Sequence, residues 1–151
     1  MLITRQFWPS EPTLSEKSEY DDALCDLLTV KAIKKRILTS QVLNSRRQCV
    51  DAQTELNTLS MKFERNCIAR ATLEQEILAG VTGQRKGVDD ITLANCKIVE
   101  LKTQNVTEQM TIQEKESELE VLLSEKRRLE HVLNSLERQE EKIQTLLGRE
   151  A

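Results

Sequence analysis

The segment "ILAGVTGQRKGVDDITLA", from Ile77 to Ala94, decides the fold because it holds three of the chain's 4 glycines. Long stretches with almost no helix-breaking residue flank it on both sides. Such a segment fits three structures: the turn of a helical hairpin, a flexible joint in a continuing rod, or a phosphate-binding loop. Each structure implies a different function.

The phosphate-binding loop is the weakest of the three. That loop requires two glycines separated by four residues, then Lys and Ser or Thr, directly after a strand. The stretch "GVTGQRKG" from Gly80 to Gly87 has a different spacing and no such Lys-Ser or Lys-Thr pair. The sequence therefore leaves the hairpin turn and the joint as alternatives.

The composition of the 151 residues is that of an elongated helical protein. Aromatic residues make up 3% and charged residues 31%, with 4 Gly and 2 Pro. Few aromatic residues mean few large core side chains, and few Gly and Pro mean few turns. Hydrophobic residues at 38% are too many for full disorder if they form a stripe. The net charge of −3 provides no strong overall attraction to nucleic acid or to an acidic membrane.

A heptad repeat runs through both flanking stretches. With Ile77 at position a and d three residues later, most a and d positions from Leu38 to Leu147 are apolar outside the glycine segment. A repeat sustained over this length predicts a coiled coil. The predicted coiled-coil interface consists of Leu38, Val42, Leu56, Leu59, Phe63, Leu73, Ile77, Ile91, Ile98, Leu101, Ile112, Leu119, Leu122, Leu129, Leu133, Leu136, Ile143 and Leu147.

The phase of the repeat favours a joint over a hairpin. Ile77 and Ile91 are two heptads apart, so the phase is kept across the glycines, which a hairpin does not need. The two arms also differ in length by more than about 20 Å. We expect an all-α fold of long coiled-coil helices: a disordered head at 1–20, a first coiled-coil helix at 21–78, a glycine-rich joint at 79–89 and a second coiled-coil helix at 90–148.

The charges along the stripe disfavour a parallel homodimer. In that arrangement Lys97 faces Lys102 and Glu125 faces Glu130, which are like-charge contacts. Charged residues at four core positions would each meet their own copy: Glu108, Lys115, Lys126 and Glu140. The sequence therefore predicts a different protein chain as coiled-coil partner, or an antiparallel arrangement. Extra apolar residues at e and g positions indicate contact with more than one helix: Leu123, Val132 and Leu146.

The sequence shows no catalytic, cofactor-binding or metal-binding constellation. The cysteines are far apart and the single histidine, His131, falls at an exposed heptad position, so neither a zinc site nor a nucleophile pair is indicated. Cys49 lies at position a and is expected to be a small core residue. We see no secretory signal and no apolar run that could span a membrane. We expect an intracellular location, cytoplasmic or cytoskeletal, with the nucleus as an alternative.

A basic segment at 31–47 raises DNA binding as a remote alternative. It precedes the regular heptads, as the basic region does in basic-zipper proteins. The segment lacks the asparagine of that motif, and apolar residues such as Ile33 and Ile37 interrupt it. The interruptions favour continued helix packing, and nucleic acid is therefore an unlikely partner.

Four blocks, in order, resemble the first long coiled-coil stretch of type I keratins, the intermediate-filament rod. They are "RILTSQVLNS" from Arg36, "KFERN" from Lys62, "LEQEI" from Leu73 and "DDITLA" from Asp89. The stretch from Leu122 to Ala151 is similar to the end of that rod. The spacing between blocks differs by a few residues, and the glycine segment is longer than its counterpart. The resemblance implies an intracellular structural role with an obligate partner chain.

The sequence thus predicts a non-catalytic structural coiled-coil protein that assembles with another coiled-coil chain and resembles intermediate filaments. The alternative is an adaptor subunit of a hetero-oligomeric cytoskeletal, centrosomal, kinetochore or meiotic complex. A filament-type chain forms high-order species with its partner, whereas an adaptor forms one small complex of fixed size.

Overall fold

The computed structural model describes residues 14–83 and 87–148, and this part of the chain forms two long helices. Helix α1 spans Leu14–Thr82 and helix α2 spans Val88–Leu146. The all-α prediction is confirmed. Many threonines within the helices donate their hydroxyl to the carbonyl one turn earlier, for example Thr54 Oγ1 to Val50 O at 2.9 Å. This bond lets a β-branched polar residue sit in a helix without exposing an unpaired group.

The helix ends carry ordinary termination signals. At the start of α2 the carbonyl of Gly87 accepts from the backbone N–H of Asp90 at 3.1 Å and of Ile91 at 3.2 Å. Asp89 and Asp90 occupy the first turn, where negative charge interacts favourably with the helix dipole. Gly148 closes the other end with a φ of 70°, a left-handed conformation that glycine adopts without strain.

The helix boundaries differ from the predicted ones at both ends of α1. The disordered head predicted at 1–20 overlaps α1, which already includes 14–20; residues 1–13 lie outside the described part. Both prolines precede this start, and Glu16 in the first turn suits a helix N-terminus. The joint predicted at 79–89 also begins too early, because α1 contains Gly80 and continues to Thr82. One glycine costs a helix only about 1 kcal/mol relative to alanine, which neighbouring half-buried residues such as Val81 offset.

The chain divides into two compact units. Unit 1 combines Met1–Leu43 with Arg127–Ala151, and unit 2 is Asn44–Lys126. Each unit therefore contains one segment of α1 and one segment of α2.

In unit 2 the two helical segments run antiparallel. Arg70 contacts Asn105 and Glu108, whereas Glu55, earlier on α1, contacts Lys115, later on α2. The chain therefore reverses between Thr82 and Val88, and the continuing rod favoured by the heptad phase is wrong for this unit. The heptad phase could not reveal the reversal, because apolar residues that keep one phase across the glycines can pack in a folded-back chain as well as in a straight one.

Each unit has a narrow core along the contact of its two segments. Unit 1 buries Leu24, Val42, Leu129, Leu136 and Ile143. Unit 2 buries Ser45, Cys49, Leu56, Ala94, Ile98 and Leu119. Among the described residues no large side chain is completely removed from solvent, as expected where only two helices enclose a core.

Candidate interaction surface

The predicted coiled-coil stripe lies on the side of each helix that faces the other helix of the same chain. All predicted interface residues except Leu73 and Ile91 are buried or half-buried. Leu73 and Ile91 are 44% and 43% exposed, and both lie near the chain reversal. There the half-buried side chain is Glu74 rather than Leu73, so the contact side of α1 is displaced by one residue. A fixed heptad count does not contain a signal for this displacement.

Four polar side chains form a hydrogen-bonded cluster on the contact side of unit 2. This polar layer consists of Asn66 and Arg70 on α1 and Asn105 and Glu108 on α2. The Arg70 guanidinium forms two parallel bonds with the Glu108 carboxylate, one of them from Nη1 to Oε2 at 2.9 Å. Nη1 also donates to Asn105 Oδ1 at 2.8 Å, and Asn66 Nδ2 donates to Glu108 Oε1 at 3.0 Å.

The polar layer is partly shielded from solvent. The side chains of Arg70 and Glu108 are 14% and 32% exposed. The hydrogen bonds from Arg70 lower the pKa of Glu108, and the bond from Asn66 acts in the same direction. The bond to Glu108 likewise raises the pKa of Arg70. A two-pronged Arg–carboxylate pair has a fixed geometry, and a shifted register would leave its charges half-buried without partners. A shifted register would therefore cost free energy at this layer.

Other charged residues at core positions also have partners across the contact. In unit 2, Lys115 Nζ lies 3.2 Å from Glu55 Oε1, and this bond is the main cause that raises the pKa of Lys115. In unit 1, Glu140 Oε2 lies 3.6 Å from Lys35 Nζ. The sequence marked Lys115 and Glu140, with Glu108 and Lys126, as reasons against a parallel homodimer. An antiparallel contact within one chain was among the arrangements that this pattern allowed.

Sequence reasoning did not identify Asn66, Arg70 and Asn105 as functional residues. They occupy a and d positions that are not apolar in the heptad count. Arg70 at position a and Glu108 at position d were the available signal, because a and d positions face each other when helices pack antiparallel. Reading that signal requires the direction of the chain to be known first.

A second set of apolar side chains in unit 2 is exposed. They share heptad positions b and f and are between 56% and 70% exposed. We name them the outer stripe: Val50, Met61 and Ile68 on α1, with Val99, Val106 and Met110 on α2. Positions b and f lie on the side of a helix away from positions a and d, so the outer stripe is turned away from the α1–α2 contact.

The e and g residues that were expected to widen the stripe near the C-terminus lie in different environments. Leu123, in unit 2, is half-buried. Val132 and Leu146, in unit 1, are 38% and 62% exposed. They add exposed apolar surface to that unit.

Chemistry-bearing residues do not converge in the described ranges. There, no three His, Cys, Asp or Glu side chains are placed so that they could hold a metal ion. His131 is exposed, as its heptad position predicts. The four cysteines are free thiols; Cys49 is buried and Cys96 is exposed. The Cys67 thiol lies 3.6 Å from Asn105 Oδ1, at the edge of the polar layer.

The basic segment 31–47 is partly engaged within unit 1. Lys31 Nζ donates to Gln139 Oε1 at 2.6 Å, and Lys35 pairs with Glu140. DNA binding through this segment remains a prediction, and a salt-dependent shift with duplex DNA would test it. In the ranges that the structure describes, neither helix contains a stretch long and apolar enough to cross a membrane.

Comparisons with protein-family models, curated proteins and solved structures found no match to this chain.

Proposed function

We propose that the chain is a non-catalytic structural coiled-coil protein that assembles with another coiled-coil chain inside the cell. The supporting observation is the outer stripe. The contact between α1 and α2 already uses the a and d positions in unit 2, yet six further Val, Ile and Met side chains stand exposed at b and f. A helix with apolar residues on two sides is suited to packing between neighbours.

The members of the outer stripe lie along one edge of each helix. On α1, Val50, Met61 and Ile68 are separated by three turns and two turns, which aligns them along one edge. On α2, Val99, Val106 and Met110 are aligned in the same way. On both helices the outer-stripe residues are rotated from the contact side by a similar angle. Because the two segments are antiparallel, the stripe of α1 and the stripe of α2 then lie toward the same side of unit 2. Both edges point away from the α1–α2 contact, so one partner helix would cover the exposed apolar residues of α1 or those of α2.

Covering the outer stripe would contribute favourable free energy to assembly with a partner. Burying the exposed half of a Val, Ile or Met side chain contributes roughly 1 kcal/mol. Six such residues provide several kcal/mol before the cost of association, so a stable complex would need further contacts with the partner.

The chain reversal in unit 2 favours the adaptor form of this proposal over the filament-like form. An intermediate-filament-like rod requires α1 and α2 to continue in one direction, whereas unit 2 is a helical hairpin. An adaptor of a hetero-oligomeric complex can use such a hairpin as it is. The predicted partner is therefore an apolar helix that packs on the outer stripe in a complex of fixed size.

Reconstitution with a co-purifying coiled-coil partner tests the proposal. Chain and partner, each purified, are mixed, and the mass of the complex is measured by sedimentation equilibrium. Replacement of Met61 and Ile68 by Gln is expected to weaken the complex at least tenfold without loss of helix content. Replacement of Thr58 and Arg65 by Gln, two exposed polar positions one turn from Met61 and Ile68, is the matched control, because it changes the same surface without removing an apolar side chain. Equal affinity of both variants, or an isolated chain that binds no coiled-coil protein, would contradict the proposal.

A further inference from the structure

We propose that two copies of this chain exchange their α2 helices, so that α1 of each copy pairs with α2 of the other in unit 2. This proposal is independent of the outer stripe and of the partner chain proposed above. It uses the a and d contacts already present in the hairpin, which an exchanged dimer would reproduce between two copies.

The first support is the phase of the contact side across the turn. Ile77 at the end of α1 is half-buried and Ile98 near the start of α2 is buried, and both face the α1–α2 contact. They are three heptads apart in sequence. A helix that continued from α1 into α2 would therefore keep Ile77 and Ile98 on one edge, although Leu73 and Ile91 of the same phase are exposed near the turn. A hairpin does not need this relation, whereas an open, exchanged chain does.

The second support is the backbone at the turn. Neither Gly83 nor Gly87 has the left-handed conformation that requires glycine. A Cβ at Gly87 would meet nothing within 4 Å, and a Cβ at Gly83 would lie 3.2 Å from the carbonyl of Ala79. These residues do not lock the reversal through a special backbone geometry. Each glycine disfavours a continuous helix roughly fivefold relative to alanine, so the native turn permits the exchanged form but does not favour it.

The third support is the polar layer. Arg70 on α1 bonds only to Asn105 and Glu108 on α2 among the described contacts, so an exchanged α2 can supply the same partners. Both forms satisfy the same charges in the same antiparallel register. The balance between them then depends on the turn and on protein concentration, since only the dimer has an association cost.

Disulfide trapping distinguishes the two forms. The Cys67 thiol lies 3.6 Å from Asn105 Oδ1, so Asn105→Cys places two thiols across the contact. The full chain is prepared with Asn105→Cys, Cys25→Ser, Cys49→Ala and Cys96→Ser, and is oxidised with diamide after refolding at several concentrations. A hairpin gives a bond within one chain, whereas the exchanged dimer gives bonds between chains on a non-reducing gel. We expect the inter-chain fraction to rise with concentration.

Two changes at the turn move the equilibrium in opposite directions. Gly83→Ala with Gly87→Ala favours a continuous helix and is expected to increase the dimer association constant at least tenfold. Val88→Pro is the matched variant that should decrease the dimer association constant. Val88 is the first residue of α2 and is 79% exposed. Proline is tolerated at the first position of a helix but breaks a helix that passes through it. We expect this variant to be monomeric.

Sedimentation equilibrium of the native sequence provides a measurement that does not depend on the cysteine variant folding. A dimer whose fraction responds to both turn changes as expected supports exchange. Disulfides within single chains only, at every concentration and in every turn variant, would overturn it. A dimer that forms while all disulfides stay within single chains would also overturn it, because hairpins would then associate side by side.

Discussion

Unit 1 and unit 2 bury different kinds of residue. The buried side chains of unit 1 are large aliphatic ones, including Leu129, Leu136 and Ile143. Unit 2 also buries large aliphatic side chains, but it adds the smaller Ser45 and Ala94 and the polar layer. Aliphatic side chains supply free energy of folding without specifying register, whereas hydrogen-bonded charges specify register at little net gain in stability. The difference predicts that aliphatic burial contributes more to stability in unit 1 and that the polar layer contributes more to register in unit 2.

The largest expected effect comes from removing aliphatic volume in unit 1. Leu136 is 7% exposed, and Leu136→Ala should lower the free energy of unfolding by about 2 kcal/mol through lost burial and a cavity. Cys49→Ala, which removes one buried sulfur atom from unit 2, should cost about 1 kcal/mol or less. Both are measured by urea denaturation followed by circular dichroism.

Ile33→Ala is the control for that measurement, because Ile33 is in unit 1 but is 54% exposed. Its effect should stay below about 0.5 kcal/mol. A loss for Leu119→Ala, a buried leucine of unit 2, equal to that for Leu136→Ala would remove the proposed division between the units.

The second effect concerns the polar layer. Arg70→Leu leaves the Glu108 carboxylate half-buried without its main partner and should lower the melting temperature. The double change Arg70→Leu with Glu108→Leu removes both charges and should recover part or all of that loss. The double variant should instead lose its single register, which would show as several cross-linked pairs in place of one. A double variant that is stable and keeps one register would assign register to the apolar stripe.

These residues also show how far the sequence determines the structure. The heptad count located the contact side, from Leu38 to Leu147, because burial of apolar side chains has the period of the helix. It could not give the direction of the chain, since Ile77 and Ile91 are in phase in a hairpin and in a rod alike. Leu73 is exposed although the heptad count placed it in the interface, because the contact side shifts near the reversal. That shift depends on local packing rather than on residue type. Arg70 and Glu108 were visible as complementary charges only after the reversal was known.

The third effect is a pH dependence that follows from the lowered pKa of Glu108. A carboxyl whose pKa is lowered on folding adds stability above its unfolded pKa of about 4.3, and this stability is lost as the pH falls through the lowered value. Wild type should therefore exceed Glu108→Gln in melting temperature at pH 7 and approach it near pH 3. Glu120→Gln, an exposed position on α2, is the control. A difference between wild type and Glu108→Gln that is unchanged at low pH would mean that the charge of Glu108 does not stabilise the fold.

The smallest effect separates the polar layer from the exposed ion pair of the same unit. Glu55 is 57% exposed and Lys115 is 32% exposed, so water and salt should screen their contact. Glu55→Gln should lower the urea midpoint slightly in 0.1 M NaCl and not measurably in 1 M NaCl. Glu108→Gln, whose partner Arg70 is only 14% exposed, should keep most of its effect at 1 M NaCl. Equal salt sensitivity of the two variants would place the polar layer in the same solvent environment as the exposed pair. Register in unit 2 would then depend on its apolar contacts, because a fully screened pair cannot penalise a shifted register.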